Sequence, residues 1–287
     1  MAGTVAYIGF GEAGMAFAQP GARAYDLKTD SAATGDAKRA DFQTAGVTGC
    51  ATPAEALAGA EAILSLVTAD QSLPAALAAA PLLAPGALWF DMNSVAPDTK
   101  REAARAIEAA GGRHIDVAVM SPVHPARFDT PLLVAGPHAE AGAERLAALG
   151  FTRVRAVGDA VGDASAIKLI RSVMVKGIEA LAAECVLAAD AAGVLGEVLA
   201  SLDASDKPKP WAERADYNLD RMLIHGERRA AEMAEVAKTL TGLGIAPLMT
   251  EGIVSWQQGI GELHLGAPAG LAAKLTALKA RRKEIGA

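Results

Sequence analysis

The chain has 287 residues, enough for two domains that each bury a core, and 52% of them are hydrophobic. Its formal net charge is −6 and its isoelectric point about 5.5, so a nucleic-acid partner or an anionic membrane surface has no electrostatic support. Cys50 and Cys185 stand far apart without Cys-x-x-Cys spacing, which argues against a disulfide framework or zinc site and for reduced thiols in a cytoplasmic protein.

The first strand reads from Thr4 to Ile8. The N-terminus lacks the basic start of a signal peptide, and its apolar residues are used in this strand. The strand runs into Gly9-Phe10-Gly11-Glu12-Ala13-Gly14. In this pattern the first glycine allows a tight turn, the second lets the backbone approach a pyrophosphate, and the third lets the next helix pack closely on the strand. A helix beginning near Glu12 and reading on through Ala18 points its free N–H groups and positive dipole end at the phosphates. A second strand, Arg23 to Tyr25, ends in Asp26, a carboxylate placed to accept from adenosine ribose hydroxyls. That charge favours NAD over NADP because it repels a 2′-phosphate, while Lys28 and Thr29 soften the repulsion and leave NADP open.

Short β-type runs then alternate with alanine-rich helices as far as residue 157, the pattern of a parallel sheet covered on both faces. Helices are expected at Asp36–Ala45, from Thr52-Pro53 to Ala58, at Ala75–Ala80, Pro97–Ala110 and Ala139–Ala148. Strands are expected near Thr48–Cys50 and at Ala62–Val67, Ala87–Phe90, His114–Val119, Leu132–Ala135 and Thr152–Arg155. The texture changes at Gly158: Asp163–Ala192 is one long helical run, apolar around much of its circumference, and is expected to be buried on most sides, linking two domains and packing in a homodimer. Beyond it the pattern is helical, broken at Lys207–Pro210, Gly242–Gly244 and Gly266–Gly270. The basic tail (Lys274, Lys279, Arg281, Arg282, Lys283) reads as a solvated helix face. The expected architecture is therefore α/β: a Rossmann dinucleotide-binding domain at 1–157 with a parallel-dominated sheet, a long interdomain helix, and an all-α substrate and dimerisation domain at 158–287. Charged residues interrupt each apolar run before membrane-spanning length.

Proton chemistry needs a titratable group, and Lys168 is the candidate. Most of its neighbours on the long helix are apolar, and partial burial lowers a lysine pKa towards neutrality. Ser172, one turn on, shares its face and can hold the lysine or a substrate; Arg171 offers a carboxylate clamp. The alternative for Lys168 is a helix lysine that merely extends to solvent.

Four stretches of the chain together resemble the β-hydroxyacid dehydrogenases, relatives of 3-hydroxyisobutyrate and 6-phosphogluconate dehydrogenases. The glycine loop at 9–14 is similar to the family's cofactor motif. Asp91-Met-Asn-Ser-Val-Ala-Pro97 is similar to its Asp-x-Ser-Thr-x-x-Pro loop beside nicotinamide and substrate, and Asp116–Ser121 falls at its substrate-binding Asp-x-Pro-Val-Ser-Gly-Gly. Gly158–Ser172 resembles its glycine-rich turn and Lys-x-x-x-Asn helix, which puts Lys168 at the catalytic lysine. The resemblance implies hydride transfer between NAD(P) and a small hydroxy acid bound in a cleft between domains, with Lys168 as general acid/base. It also brings Val67, Thr68 and Asn93 towards the cofactor and Asn93, Ser94 and Ser121 towards the substrate.

The departures bear on substrate. Asn93-Ser94 replaces Ser-Thr, Ser172 replaces the asparagine, and Met120-Ser121-Pro122 replaces Ser-Gly-Gly, where Pro122 has no N–H to offer. The strings 121–125 (Ser-Pro-Val-His-Pro) and 223–233 are similar to a poorly characterised branch of 6-phosphogluconate-dehydrogenase-like proteins with its own C-terminal helical domain. Further substrate candidates are His124, Arg127 and His225, each with a packing or surface role as its alternative. His114, His138 and His264 have no ligand spacing, so no metal is expected; Trp89, Trp211 and Trp256 read as core or interface. Two other functions stay open: reduction of an imine or larger carbonyl, and a non-catalytic NAD(P) sensor.

Overall fold

The computed structural model describes residues 4–205 and 208–281, apart from the side chains at 232 and 235. Lys207, Arg282 and Lys283 lie outside the described residues. The chain forms two compact units, divided between Val173 and Met174.

The first unit is built on an eight-stranded sheet. Its strands are β1 (Val5–Ile8), β2 (Arg23–Tyr25), β3 (Thr48–Gly49), β4 (Ala62–Ser65), β5 (Leu88–Asp91), β6 (Arg113–Val119), β7 (Leu132–Ala135) and β8 (Val154–Gly158). The order is β3-β2-β1-β4-β5-β6-β7-β8, so the first six strands have the doubly wound Rossmann arrangement. Helices α1 (Glu12–Ala16), α2 (Gly35–Ala45), α3 (Pro53–Leu57), α4 (Ser72–Ala79), α5 (Pro97–Ala109) and α6 (Ala139–Ala148) lie between strands. Only β6–β7 is antiparallel. The segment between them holds a 3₁₀ turn at Arg127–Asp129 and no crossover helix, whereas a parallel return needs a crossover of a dozen or more residues, usually helical.

Side-chain alternation explains why both faces are covered. Val5, Tyr7, Leu64, Leu88 and Phe90 enter one apolar layer with Phe10, Phe17 and Phe42. Their neighbours Ala6, Ile8, Ile63 and Trp89 enter the other with Leu57 and Ile107. Strands β1, β4 and β5 thus show apolar residues in both registers of their two-residue period, as a doubly covered sheet requires.

Element limits depart from expectation by two residues or more at α1, α4 and β8, and at β4, which ends at Ser65 rather than Val67. Helix α1 ends at Ala16, short of Ala18, because Pro20 disfavours helical backbone at Gln19 and the chain turns at Gly21, φ +81°. Helix α4 begins at Ser72 rather than Ala75, because the Ser72 hydroxyl is buried where it meets Asn93. Strand β8 begins at Val154 because Thr152 is tied by its amide to the Phe128 carbonyl and by its hydroxyl to Asp129.

Helix α7 (Asp163–Ala191) begins in the first unit. The second unit continues through α8 (Leu195–Ser205), α9 (Trp211–Gly242), α10 (Leu248–Gly261) and α11 (Leu271–Ala280). A break at Gly193, φ +70°, separates α7 from α8 and was not expected. Within this unit α9 meets α10 where Gly226 faces Gly261; a Cβ at 226 would lie 2.4 Å from the Gln257 carbonyl oxygen. The buried carboxylate of Glu184 accepts from the amides of Met249 (2.8 Å) and Thr250 (2.9 Å), satisfying donors that α10 leaves open. Within the single chain α7 leaves Ile170 and Val173 each 70% exposed, and Met174, Ile178, Leu181 and Leu187 are exposed too. An apolar stripe marks what a helix can bury, and one chain supplies too little surface to cover this one. Among the described residues no helix is long and apolar enough to cross a membrane.

Candidate functional site

The glycine loop closes the carboxyl end of β1 against that of β4. Gly9 has φ +84°, and a Cβ there would lie 2.6 Å from the Leu66 carbonyl oxygen, so any side chain is excluded by both conformation and space. Gly11 is open, with nothing within 4 Å of where a Cβ would stand, and that leaves its backbone approachable. Gly14 accommodates the Phe10 ring rather than the strand: its Cβ would lie 3.0 Å from that ring.

A cavity of about 500 Å³ opens beside this loop, lined by Gly9, Gly11, Asp26, Lys28, Val67 and Thr68 among others. It lies at the carboxyl ends of β1, β2 and β4, where the strand order reverses, the usual ligand position in an open α/β sheet. Its size and largely apolar walls suit an adenosine moiety. The other three residues of the cofactor motif stand differently: Phe10 is fully buried, packed edge-on to Tyr7 and Phe42, while Glu12 is exposed and Ala13 is half-buried on α1. With five residues, α1 is too short for a full macrodipole. Asp26 is nearly buried and does more than face the cavity. Its Oδ2 accepts from the Phe10 amide at 2.7 Å and its Oδ1 from the Lys28 amide at 2.9 Å. It therefore ties the glycine loop to the end of β2 and still has lone pairs for a diol. Tyr25, which also lines the cavity, donates to Asp30 at 2.7 Å; burial, then that hydrogen bond and the Asp30 and Asp26 charges, push its phenol up to about 12.

The second cluster follows β5. Lys168, half-buried on the second turn of α7, donates to the Ser94 hydroxyl at 2.6 Å. Asn93 faces inward: its Nδ2 donates to Asp91 (2.8 Å), Ser65 (3.0 Å) and Ser72 (3.2 Å), and its Oδ1 accepts from the Val67 amide at 2.8 Å. This asparagine is 5% exposed, and its amide holds the β4 loop to the β5 loop.

Beneath both loops lies a buried ionic group. Lys100 and Asp116 are fully buried, as are Asp91 and His114. The Lys100 ammonium stands 2.8 Å from Asp91 Oδ1 and 3.5 Å from Asp116 Oδ1, and also donates to the Asp91 carbonyl. Asp91 and Asp116 are register partners on adjacent strands, so without Lys100 two carboxylates would face each other in the interior. Burial opposes ionisation of Asp91, but Lys100 and His114, whose Nε2 lies 3.5 Å away, hold its carboxyl well below the usual carboxylate range. Asp116 accepts from the amides of Gly162 (3.0 Å) and Ser165 (3.1 Å) and from the Ser165 hydroxyl (2.5 Å).

Of the remaining candidates, Ser172 and Ser121 bond within their own segments. The Ser172 hydroxyl donates to the Lys168 carbonyl at 2.9 Å, a bond within α7 rather than to the ammonium. Ser121 is exposed and bonds the neighbouring Pro122 carbonyl at 3.3 Å. His124 is exposed; Arg127 has φ +48° and donates to the Ala16 carbonyl at 3.3 Å. His225 is half-buried on α9 in the second unit, beside Gly226.

Sequence reasoning passed over Lys100 and Ser165 and weighed His114 only as a metal ligand. A signal was present for Lys100. It repeats on α5 with Ala103, Ala104 and Ile107, the buried stripe of that helix, so a charge stands at a core position and demands a counter-charge.

The NAD binding domain of 6-phosphogluconate dehydrogenase matches residues 4–152, and a domain of unknown function (DUF1932) matches 189–260. A curated relative, an uncharacterized 28.5 kDa protein from Methanothermus fervidus, is 24% identical over 162 residues; the match covers 56% of this chain and 61% of that protein's length. A conserved hypothetical protein from Sinorhizobium meliloti 1021 is 38% identical, with 98% of this chain and 97% of that chain covered and a TM-score of 0.60. A conserved protein of unknown function, described as structurally similar to 3-hydroxyacid dehydrogenases, is 28% identical with 98% and 99% covered and a TM-score of 0.58. The fold is also similar to that of an imine reductase from Myxococcus stipitatus in complex with NADP+, at 18% identity, 96% and 99% coverage and a TM-score of 0.74. The chain belongs to the family defined by the NAD binding domain of 6-phosphogluconate dehydrogenase, and so has the NAD(P)-binding, hydroxyacid dehydrogenase-like fold.

Proposed function

We propose that this protein is an NAD(P)-dependent oxidoreductase that transfers hydride between the nicotinamide and a small hydroxy acid, with Lys168 as general acid/base. The observation that carries the proposal is the 2.6 Å contact between Lys168 and Ser94, which sets an ammonium past the carboxyl end of β5, at the same edge of the sheet as the glycine loop after β1. The fold leaves Gly11 approachable and opens a cavity of about 500 Å³ beside it for the nucleotide. The nicotinamide, when bound, accepts or supplies the hydride. Lys168 takes the hydroxyl proton in oxidation and returns it to the nascent alkoxide in reduction, work that contributes ~10²–10⁴ in rate. Ser94 holds the ammonium in place and donates its hydroxyl hydrogen to the substrate oxygen. Asn93 positions Val67 and Thr68 along the cofactor. The Asp26 carboxylate favours NAD over NADP. Ser121, His124 and Arg127 supply polar contacts to the substrate. The exposed apolar face of α7 serves a homodimer, which functions in the cytoplasm.

A second reading is favoured by the substrate loops: Asn93-Ser94 and Met120-Ser121-Pro122 depart from the hydroxy-acid pattern, and an imine reductase shares the fold. On that reading the same lysine serves reduction of an imine or larger carbonyl. Fluorescence titration with NADH and NADPH, followed by panels of hydroxy acids and of cyclic imines with the tighter nucleotide, separates the two. Turnover of a hydroxy acid is the expected result; turnover confined to imines transfers the proposal to the second reading, and binding of neither nucleotide overturns both.

A further inference from the structure

Lys168 and Ser94 lie 74 residues apart in the chain, yet both lead back to one buried ammonium. On one side, Asp91 Oδ1 binds Lys100 at 2.8 Å and also accepts from the Asn93 amide at 3.1 Å and its side chain at 2.8 Å; Ser94 follows directly. On the other side, Asp116 faces Lys100 at 3.5 Å and receives Gly162 N, Ser165 N and Ser165 Oγ; Lys168 stands one turn further along α7. A buried ionic group is a poor source of stability, since apolar residues of equal volume often serve as well. Its bonds, however, are directional. The first turn of α7 follows Gly162, φ +105°, and these three bonds fix where that turn begins.

We propose that Asp116 is a positioning residue for Lys168: locked to Asp91 through Lys100, it fixes the start of α7 and thereby sets the Lys168 ammonium against Ser94. The inference rests on the reading of Lys168 as the proton-transfer group, but its geometry can be measured without a substrate. Asp116→Asn keeps the shape, removes the charge that faces Lys100 and leaves one acceptor oxygen for three donors. Ser165→Ala removes one bond of the clamp and is the milder variant should Asp116→Asn fail to fold.

The test is competitive acetylation of the full-length protein with acetic anhydride, read by peptide mass spectrometry. Exposed Lys279 is the reference for a free amine and buried Lys38 the monitor of general loosening. Loss of the clamp is expected to raise the Lys168:Lys279 labelling ratio roughly 2- to 10-fold, the span of one net hydrogen bond, while Lys38 stays protected as in the wild type. A ratio unchanged in both variants overturns the proposal, and so does a rise that Lys38 matches. Full turnover by Lys168→Ala would instead overturn the underlying reading of Lys168, and no change in labelling can imitate that outcome.

Discussion

The ammonium of Lys168 and the hydroxyl of Ser94 meet at 2.6 Å, although 74 residues separate them in the chain. Helix α7 supplies one partner and the loop after β5 the other, so the contact records how the end of the sheet is closed.

Ser94→Ala removes the partner and leaves the backbone unchanged. It is expected to lower kcat about 10-fold, the value of one hydrogen bond to a charged group, with little change in nucleotide affinity. Steady-state kinetics alongside NADH titration check this; an unchanged kcat would release Ser94 from the mechanism.

Asp26→Asn tests the cofactor side. The amide oxygen that replaces the carboxylate can still accept one backbone N–H, but the charge that opposes a 2′-phosphate is gone. The ratio of NADH to NADPH affinity is expected to fall about 10-fold or more, measured by fluorescence titration with each nucleotide.

Lys100→Met leaves two fully buried carboxylates facing each other. Breaking a buried pair in this way costs about 3–5 kcal/mol. The double variant Asp91→Asn/Lys100→Met removes one stranded charge as well and should recover part of that loss. Urea unfolding of the two variants and the wild type gives the comparison; equal losses would mean that the ionic group is not coupled.

Asp91 gives a pH dependence with a definite sign. Its folded carboxyl lies below the unfolded value of about 3.9. Its contribution is therefore complete above the unfolded value, and declines as pH falls from there towards the lower folded one. The stability difference between wild type and Asp91→Asn should stay level above about pH 5 and shrink below about pH 4. Unfolding free energies measured from pH 3 to 7 check the trend.

In the second unit, Glu184→Ala strips α10 of the acceptor for Met249 N and Thr250 N. A loss of about 1–3 kcal/mol is expected, visible as earlier thermal unfolding, and Glu184→Gln should restore part of it.

Local features were legible in the sequence. Gly9 and Gly11 follow an apolar strand and precede a helix, and the two-sided apolar runs at Ala62–Ser65 and Leu88–Asp91 identify doubly covered strands. The roles of Asn93 and Ser172 were not legible. Both side chains are polar and near the site, but which way each turns depends on partners supplied by the fold: Val67 and Ser65 for Asn93, the Lys168 carbonyl for Ser172. The clamp on Asp116 was hidden for the same reason, since its donors at 162 and 165 lie 46 and 49 residues away. The exposed face of α7 shows the opposite limit: apolar periodicity identifies a surface that needs covering, but not what covers it.

On the proposed function, Lys168 moves the proton while the glycine loop holds the nucleotide. The most direct measurement compares wild type with Lys168→Ala, first by NADH titration and then by turnover of the same hydroxy acid. Equal NADH affinity with turnover reduced ~10²–10⁴-fold is the predicted result. Equal turnover in the two proteins would contradict it.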